Sequence, residues 1–462
     1  MRTPHAALTF FLGFMSLLTG LSGSSTTLAL PVISREFGVS NAAATWVVTT
    51  GLITTTILLV MFGHIGDLLG KSTIFVLGGG IFVLGSLFVG IAPWFWAVLA
   101  GRFVQAVGIA MIMANSMGIV SDAVPDRQRA ETLAIISMFI SVGSISGPAL
   151  GGLLISVASW RWIYLMNVPL GLIALWLGAR TVPLTRPSRA AVGQIWRAAN
   201  WTGQNLFTAG ILLFFGGGSL LAVPSKRWLV IGALLVGAGL TVYSFVQDDH
   251  ANTPWIAPSL LRNPDYMISV STLWIVMLIN AVSNILLPFY LQSYLGVSAW
   301  LSGLTLMIQS VVMLLVTPLA GYLADHWNRY NLTILGLLAL IGSQIGYASY
   351  PNHLSWVAVL WPIVLNGVGM ALFLSPNNAL TMAAVPPTVA GVAGSLNSFA
   401  RTFGMTIGIS FGAQLLFAQL PGVKVITPQV ALLPAFANVF WLGTALSVLG
   451  LGVVIYRRLH AN

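Results

Sequence analysis

Nine carboxylates are spread over 462 residues, and none lies in the interior of a stretch long enough to cross a membrane. They are Glu36, Asp67, Asp122, Asp126, Glu131, Asp248, Asp249, Asp265 and Asp325. Proton transfer and cation binding within a membrane rely on ionisable groups held in a span. The interior stretches offer only Arg102 and Arg401, which stay protonated and so exchange no proton near neutral pH. All six histidines (His5, His64, His250, His326, His353 and His460) fall in loops or tails. The densest metal-type cluster is Asp248-Asp249-His250, and contiguous side chains diverge around a helix and alternate across a strand. The chain has no cysteine, which removes disulfides, thiolate metal sites and cysteine nucleophiles. Catalytic residues, a metal and a cofactor are therefore not expected, and a membrane-embedded enzyme is a remote alternative.

Such sparse charge needs a particular setting. The chain is 57% hydrophobic and 6% charged, where soluble domains carry about 25% charged residues. Its apolar residues fall in blocks able to cross a hydrocarbon core of roughly 30 Å. Spans at 7–30, 42–62, 73–92, 95–121, 130–157, 162–180, 204–223, 228–247, 267–295, 300–323, 331–350, 354–377, 388–418 and 434–457 make fourteen. The first is too long for a signal-peptide core and reads as a retained helix. Helices satisfy their own backbone hydrogen bonds, so the expected fold is an all-α integral membrane bundle. The net charge of +10 does not imply nucleic acid, because the basic residues are dispersed through short loops. With both termini cytoplasmic, twelve basic residues fall inside and five outside, as the positive-inside rule requires.

The spans group as six, two and six. A six-helix bundle is expected at 1–180, a cytoplasmic connector at 181–203, two extra helices at 204–247, a cytoplasmic loop at 248–266 and a second six-helix bundle at 267–462. The extra helices contain no interior charge and are expected at the periphery. A weak repeat links the larger blocks: Gly63-His64-Ile65-Gly66-Asp67 and Gly321-Tyr322-Leu323-Ala324-Asp325 each follow a second span. Paired halves of this kind are a common transporter plan. Asp67 with Lys71, and Asp325 with Arg329, are placed to cap a helix or pair as a conformational latch.

Several strings are more specific. Gly63 to Lys71 (GHIGDLLGK), Leu99 to Gln105 (LAGRFVQ) with Arg102, and Gly143 to Gly152 (GSISGPALGG) occur in order, followed by Trp160 to Gly171 (WRWIYLMNVPLG) and Leu287 to Gln292 (LPFYLQ). In these motifs the chain resembles the major facilitator superfamily, in its fourteen-helix drug:proton antiporter branch. The resemblance runs nearly end to end. It implies two pseudo-symmetric bundles around a central cavity, alternating access, and efflux of hydrophobic or amphipathic compounds across the plasma membrane. Gly143, Gly147, Gly151 and Gly152, recurring around Pro148, suit close helix packing or a hinge. Trp160, Trp162 and Tyr164 are expected at the membrane interface.

The chain departs from the branch where that branch does its chemistry. Aligned on Ala29-Leu30-Pro31, the usual first-helix aspartate is Ser22, the usual asparagine is Thr27, and an aromatic of the second helix is Gly51. If Arg102 and Arg401 face a cavity, its potential is positive and disfavours cations; Arg401 alternatively snorkels or pairs with loop carboxylates. Glu131, Asp67 and Asp122 are the candidate proton-coupling acids. Candidate cavity residues are Ser22, Ser25, Thr27, Trp46, Asn115, Asn280, Asn284, Tyr290, Gln292, Gln309, Asn366 and Asn377, with interhelical hydrogen bonding as the alternative for the polar ones. Expected partners are a small amphipathic substrate, protons and the lipid bilayer, with the chain acting as a monomer. A proton-independent facilitator or exchanger of an anionic metabolite or lipid stays open beside the antiporter.

Overall fold

The computed structural model describes residues 6–124, 126–178, 181, 200–219, 227–249, 258–385, 390–420 and 429–460. Most of the expected connector and residues 250–257 lie outside them, as do the side chains of Asp67, Glu131 and Asp325. In chain order the helices are α1 (Ala6–Phe37), α2 (Asn41–Ala44), α3 (Trp46–Leu69), α4 (Lys71–Gly90), α5 (Phe95–Ala123), α6 (Asp126–Val157), α7 (Trp162–Leu165) and α8 (Asn167–Gly178). They continue as α9 (Trp201–Ser219), α10 (Arg227–Asp249), α11 (Pro258–Leu261), α12 (Pro264–Pro288), α13 (Ala299–His326), α14 (Arg329–Ala348), α15 (Trp356–Ala383), α16 (Ala390–Ala418) and α17 (Gln429–His460). A π turn at Phe289–Tyr294 prolongs α12. Each of the fourteen expected spans holds a helix, and among the described residues eleven helices are long and apolar enough to cross a membrane.

Local chemistry sets the breaks. Gly70 separates α3 from α4 at φ +98°, a conformation that a residue with a Cβ adopts only under strain. It is the last glycine of GHIGDLLGK. Ser40, Asn263, Ser298 and Asn328 cap α2, α12, α13 and α14 through their side-chain oxygens. Asn263 works twice: its amide nitrogen also donates to Ala384 O, 2.7 Å away, at the end of α15.

The helices divide between two compact units. The first gathers α1, α3 to α8, α9 up to Ile211 and α10 from Leu240; the second gathers the remainder. Within the first, α1 packs on α6 through glycine. A Cβ at Gly143 would strike Leu17 O, one at Gly147 would strike Ser24 Oγ, and one at Gly151 would lie 2.9 Å from Ser25 Cβ. Ser25 Oγ donates to Gly147 O at 2.7 Å across this joint, and Pro148 is buried in the same helix.

The second unit builds the same joint from α12 and α16. A Cβ at Gly404 would lie 2.5 Å from Trp274 O, one at Gly408 would strike Leu278 O, and one at Gly412 would lie 2.8 Å from Val282 Cγ2. Glycines every fourth residue form one bare helix face, and backbones approach where side chains are absent.

The end of the first unit where α1 stops is clamped by Glu36. Its carboxylate accepts from Trp160 Nε1 at 2.6 Å and from Arg161 Nη1, while Arg161 Nη2 donates to Ala92 O at 3.2 Å. The Arg161 guanidinium also lies 4.7 Å from the Trp160 ring centre. In this motif Trp160 and Tyr164 are fully buried against protein and Trp162 is exposed. Acceptor carboxylate and indole satisfy one another.

Leucine in place of Gly147 or Gly408 is expected to overpack its joint at a cost of about 1–3 kcal/mol. We expect an apparent Tm lower by roughly 5 °C in a detergent thermal-shift assay. The control is Gly232→Leu, where a Cβ meets nothing within 4 Å; an equal drop in the control would refute the joints.

Candidate functional site

Arg102 sits about two turns into α5 and is 4% exposed. An arginine in a membrane helix costs up to about 2.5–3.5 kcal/mol on insertion scales, the figure for the helix centre, unless its donors are satisfied. Here Nε donates to Val47 O at 2.9 Å and Nη1 donates to Gln105 Oε1. The guanidinium carbon lies 5.6 Å from the Tyr164 ring centre, within cation–π range. Gln105, one helical turn from Arg102, passes the network on: Nε2 donates to Ser86 Oγ at 2.8 Å and to Ser22 Oγ at 3.2 Å. Tyr164 OH donates to Thr26 Oγ1 at 3.0 Å. The network thus joins α1, α3, α4, α5 and α7, and all of Arg102's partners among the described residues are neutral.

Two of the three departures from the branch pattern, Ser22 and Gly51, fall on this network. Ser22 stands two hydrogen bonds from the guanidinium. A Cβ at Gly51 would lie 2.7 Å from Arg102 Nη2, so an aromatic there would occupy the guanidinium's place. Glycine makes the room in which the arginine lies flat against α3.

In the second unit the corresponding polar feature is made of amides. Gln309 Nε2 on α13 donates to Asn280 Oδ1 on α12 at 2.6 Å, and Asn284 Nδ2 donates to Asn280 O at 2.9 Å. Asn280 and Asn284 share one face and are partly exposed, whereas Gln309 is buried and its Oε1 has no hydrogen-bond partner. A buried unpaired acceptor costs about 1–3 kcal/mol.

The other candidates join helices. Asn115 Nδ2 donates to Met111 O and, at 3.2 Å, to Phe62 O on α3. Asn366 Nδ2 donates to Ser343 Oγ at 3.3 Å, and Asn377 Nδ2 to Ser269 O at 3.2 Å. Thr27 bonds within its own helix to Ser24 O, and Trp46 opens α3. Tyr290 is fully buried beside Tyr350 and Phe436 and donates to Pro351 O, and Gln292 is buried in the same π turn. Arg401 is half-buried on α16, and no described residue hydrogen-bonds to its side chain. Lys71 Nζ pairs with Asp122 Oδ2 at 2.9 Å, tying the start of α4 to the end of α5. Arg329 opens α14. The roles expected for the Asp67, Asp325 and Glu131 side chains lie outside the described residues.

Three arrangements escape sequence reasoning. Arg457 near the end of α17 is 6% exposed; Nε donates to Asp265 Oδ1 at 3.0 Å and Nη1 to Ser269 Oγ, beside the Tyr330 ring. A count of inside charges hides such a partner. α10 continues to Asp249 and buries Asp248 at 5% exposure, with Asn200 Nδ2 donating to Asp248 Oδ1 at 3.3 Å; the extra helices therefore do carry a buried charge at one end. Gln105 had a signal, its place one turn after Arg102 in LAGRFVQ.

Comparison with known proteins agrees with this architecture. The Riboflavin transporter RibZ of Clostridioides difficile is 26% identical over 95% of this chain and 94% of its own length. The Multidrug resistance protein Stp of Mycobacterium tuberculosis is 28% identical over 85% of this chain and 72% of its own. Among solved structures, a bacterial homologue of the human lysosomal transporter Spinster superposes with a TM-score of 0.68 at 16% identity, covering 98% of this chain and 96% of that one. That likeness shows a shared fold. Residues 12–409 match the family described as Major Facilitator Superfamily, and with that match the chain belongs to the major facilitator superfamily of membrane transporters.

Proposed function

We propose that this chain is a secondary active exporter of amphipathic compounds, working by alternating access and taking neutral or anionic molecules in preference to cations. The carrying observation is Arg102: a buried guanidinium held among the described residues by neutral partners only. An unscreened positive charge in a medium of low dielectric repels a cation and attracts an anion. Relatives named for riboflavin transport and for multidrug resistance support amphipathic cargo. The basic residues, twelve to five, support a multi-pass plasma-membrane protein with both termini cytoplasmic.

In this reading proton antiport runs through carboxylates at helix ends, Glu131, Asp67 and Asp122, in place of an acid in the first helix. Support comes from the Lys71–Asp122 pair, which already links two helices there. Proton-independent exchange of an anion is the second reading. It is favoured by the observation that Glu36, Asp122, Asp248 and Asp265 all stand at helix ends with a hydrogen-bond partner.

Proteoliposomes under an imposed pH gradient separate the readings. Riboflavin (neutral) and carboxyfluorescein (anionic) are expected to move several-fold faster than ethidium, with proton movement that Glu131→Gln abolishes. Carboxyfluorescein movement without protons, lost in Arg401→Ala, would establish the exchanger instead. Ser22→Asp restores a carboxylate beside the arginine network and is expected to raise the ethidium-to-riboflavin rate ratio by about tenfold. An unchanged ratio would remove Arg102 from substrate selection.

A further inference from the structure

The amides on α12 and α13 carry an inference beyond transport itself. A single N–H···O bond between two carboxamides consumes one donor and one acceptor, so the pair keeps a free oxygen on one residue and a free N–H on the other. Here the bond from Gln309 to Asn280 leaves Gln309 Oε1 buried and unpaired. It also leaves Asn280 Nδ2, which no described residue accepts from. Asn284 spends its own nitrogen on Asn280 O, one turn away.

Asn280 and Asn284 are partly exposed although they lie well inside a helix long and apolar enough to cross a membrane. Amides there face water or a ligand, since lipid satisfies neither donor nor acceptor. A water-accessible donor beside a hidden acceptor forms a two-point recognition edge. Gln309 has three side-chain torsions, so a swing of its carboxamide uncovers Oε1 without moving α13.

We propose that Asn280 and Gln309 together read a cis-amide edge on the transported molecule, a carbonyl beside an N–H as in a lactam or cyclic imide. Asn280 Nδ2 donates to the carbonyl, and Gln309 Oε1 accepts from the ring N–H. This assignment rests on the exporter reading and names its substrate class. Both groups are neutral, so the edge selects shape and hydrogen-bond pattern and not net charge. The edge is also directional: replacing N–H by N–CH3 leaves the Gln309 oxygen facing a methyl group.

The test uses the purified full chain in nanodiscs, with riboflavin and 3-methylriboflavin as probes; the second differs by a methyl group on the imide nitrogen. Quenching of flavin fluorescence reads binding. The wild-type chain is expected to bind riboflavin about tenfold or more tightly than the methylated ring. Gln309→Met is expected to bring that ratio close to one while changing affinity for the methylated ring by less than about threefold. Asn280→Leu removes the contact to a carbonyl that both probes share and is expected to weaken both alike. Equal binding of the two probes by the wild-type chain overturns the proposal and needs no variant that folds. So does failure to bind either flavin when carboxyfluorescein is still transported together with protons, a result that keeps proton-coupled export of anions and removes the flavin-type substrate class. Loss of transport of every probe by wild-type liposomes overturns both.

Discussion

A guanidinium inside a membrane domain has to be held by fixed dipoles, and the first unit is arranged around meeting that demand at Arg102. The backbone carbonyl of Val47, the Gln105 amide and the Tyr164 ring each contribute from a different direction. Gln105 is in turn fixed by Ser86 and Ser22. Five helices must keep their relative positions for this set to converge. Gly51 belongs to the same requirement from the opposite side, because it is the absence of a side chain that lets the arginine lie where those acceptors are. Ordinarily a carboxylate would neutralise such a charge at the expense of desolvating a second ion. Neutral partners accept from Nε and Nη1 and leave the charge in place, so the field of the site is a direct product of its residue types.

Much of the fold is legible in the chain because bilayer physics is one-dimensional. Length, hydropathy and the side on which lysine and arginine fall are properties of sequence order, and every expected stretch holds a helix. The site was legible only in part. Arg102 stands out as one of two interior charges, and Ser22 and Gly51 stand out as departures from a pattern. Their convergence does not, since Ser22, Gly51 and Gln105 meet only through helix packing. Trp160 shows the limit from another side. Aromatic residues at a span entrance are expected at headgroup depth; that Glu36, more than a hundred residues earlier, supplies the indole with an acceptor appears only in the fold. Asp248 and Arg457 read as solvated end charges until tertiary contacts bury them.

The two units solve different problems with the same frame. Each sets its first long helix against a later helix through glycines spaced by four, α1 on α6 and α12 on α16. On that shared frame the first unit places a cation, and the second places neutral amides that both donate and accept. Charge and hydrogen-bond pattern are thereby assigned to separate parts of the chain, which lets either vary without dismantling the other.

Those glycine faces have a mechanical side. Side chains that interlock resist sliding, because each must leave its hole before the next position is reached. Where Gly143, Gly147 and Gly151 meet α1, and Gly404, Gly408 and Gly412 meet α12, few side chains have to unlock, although the Ser25 Oγ–Gly147 O bond holds the first seam in register. Small axial displacements along these seams require few rotamer changes, whereas bending across them drives backbone into backbone. The joints are therefore compliant along the helix axes and stiff across them, like a keyed rail, and thermal motion within each unit should be strongly anisotropic in that frame.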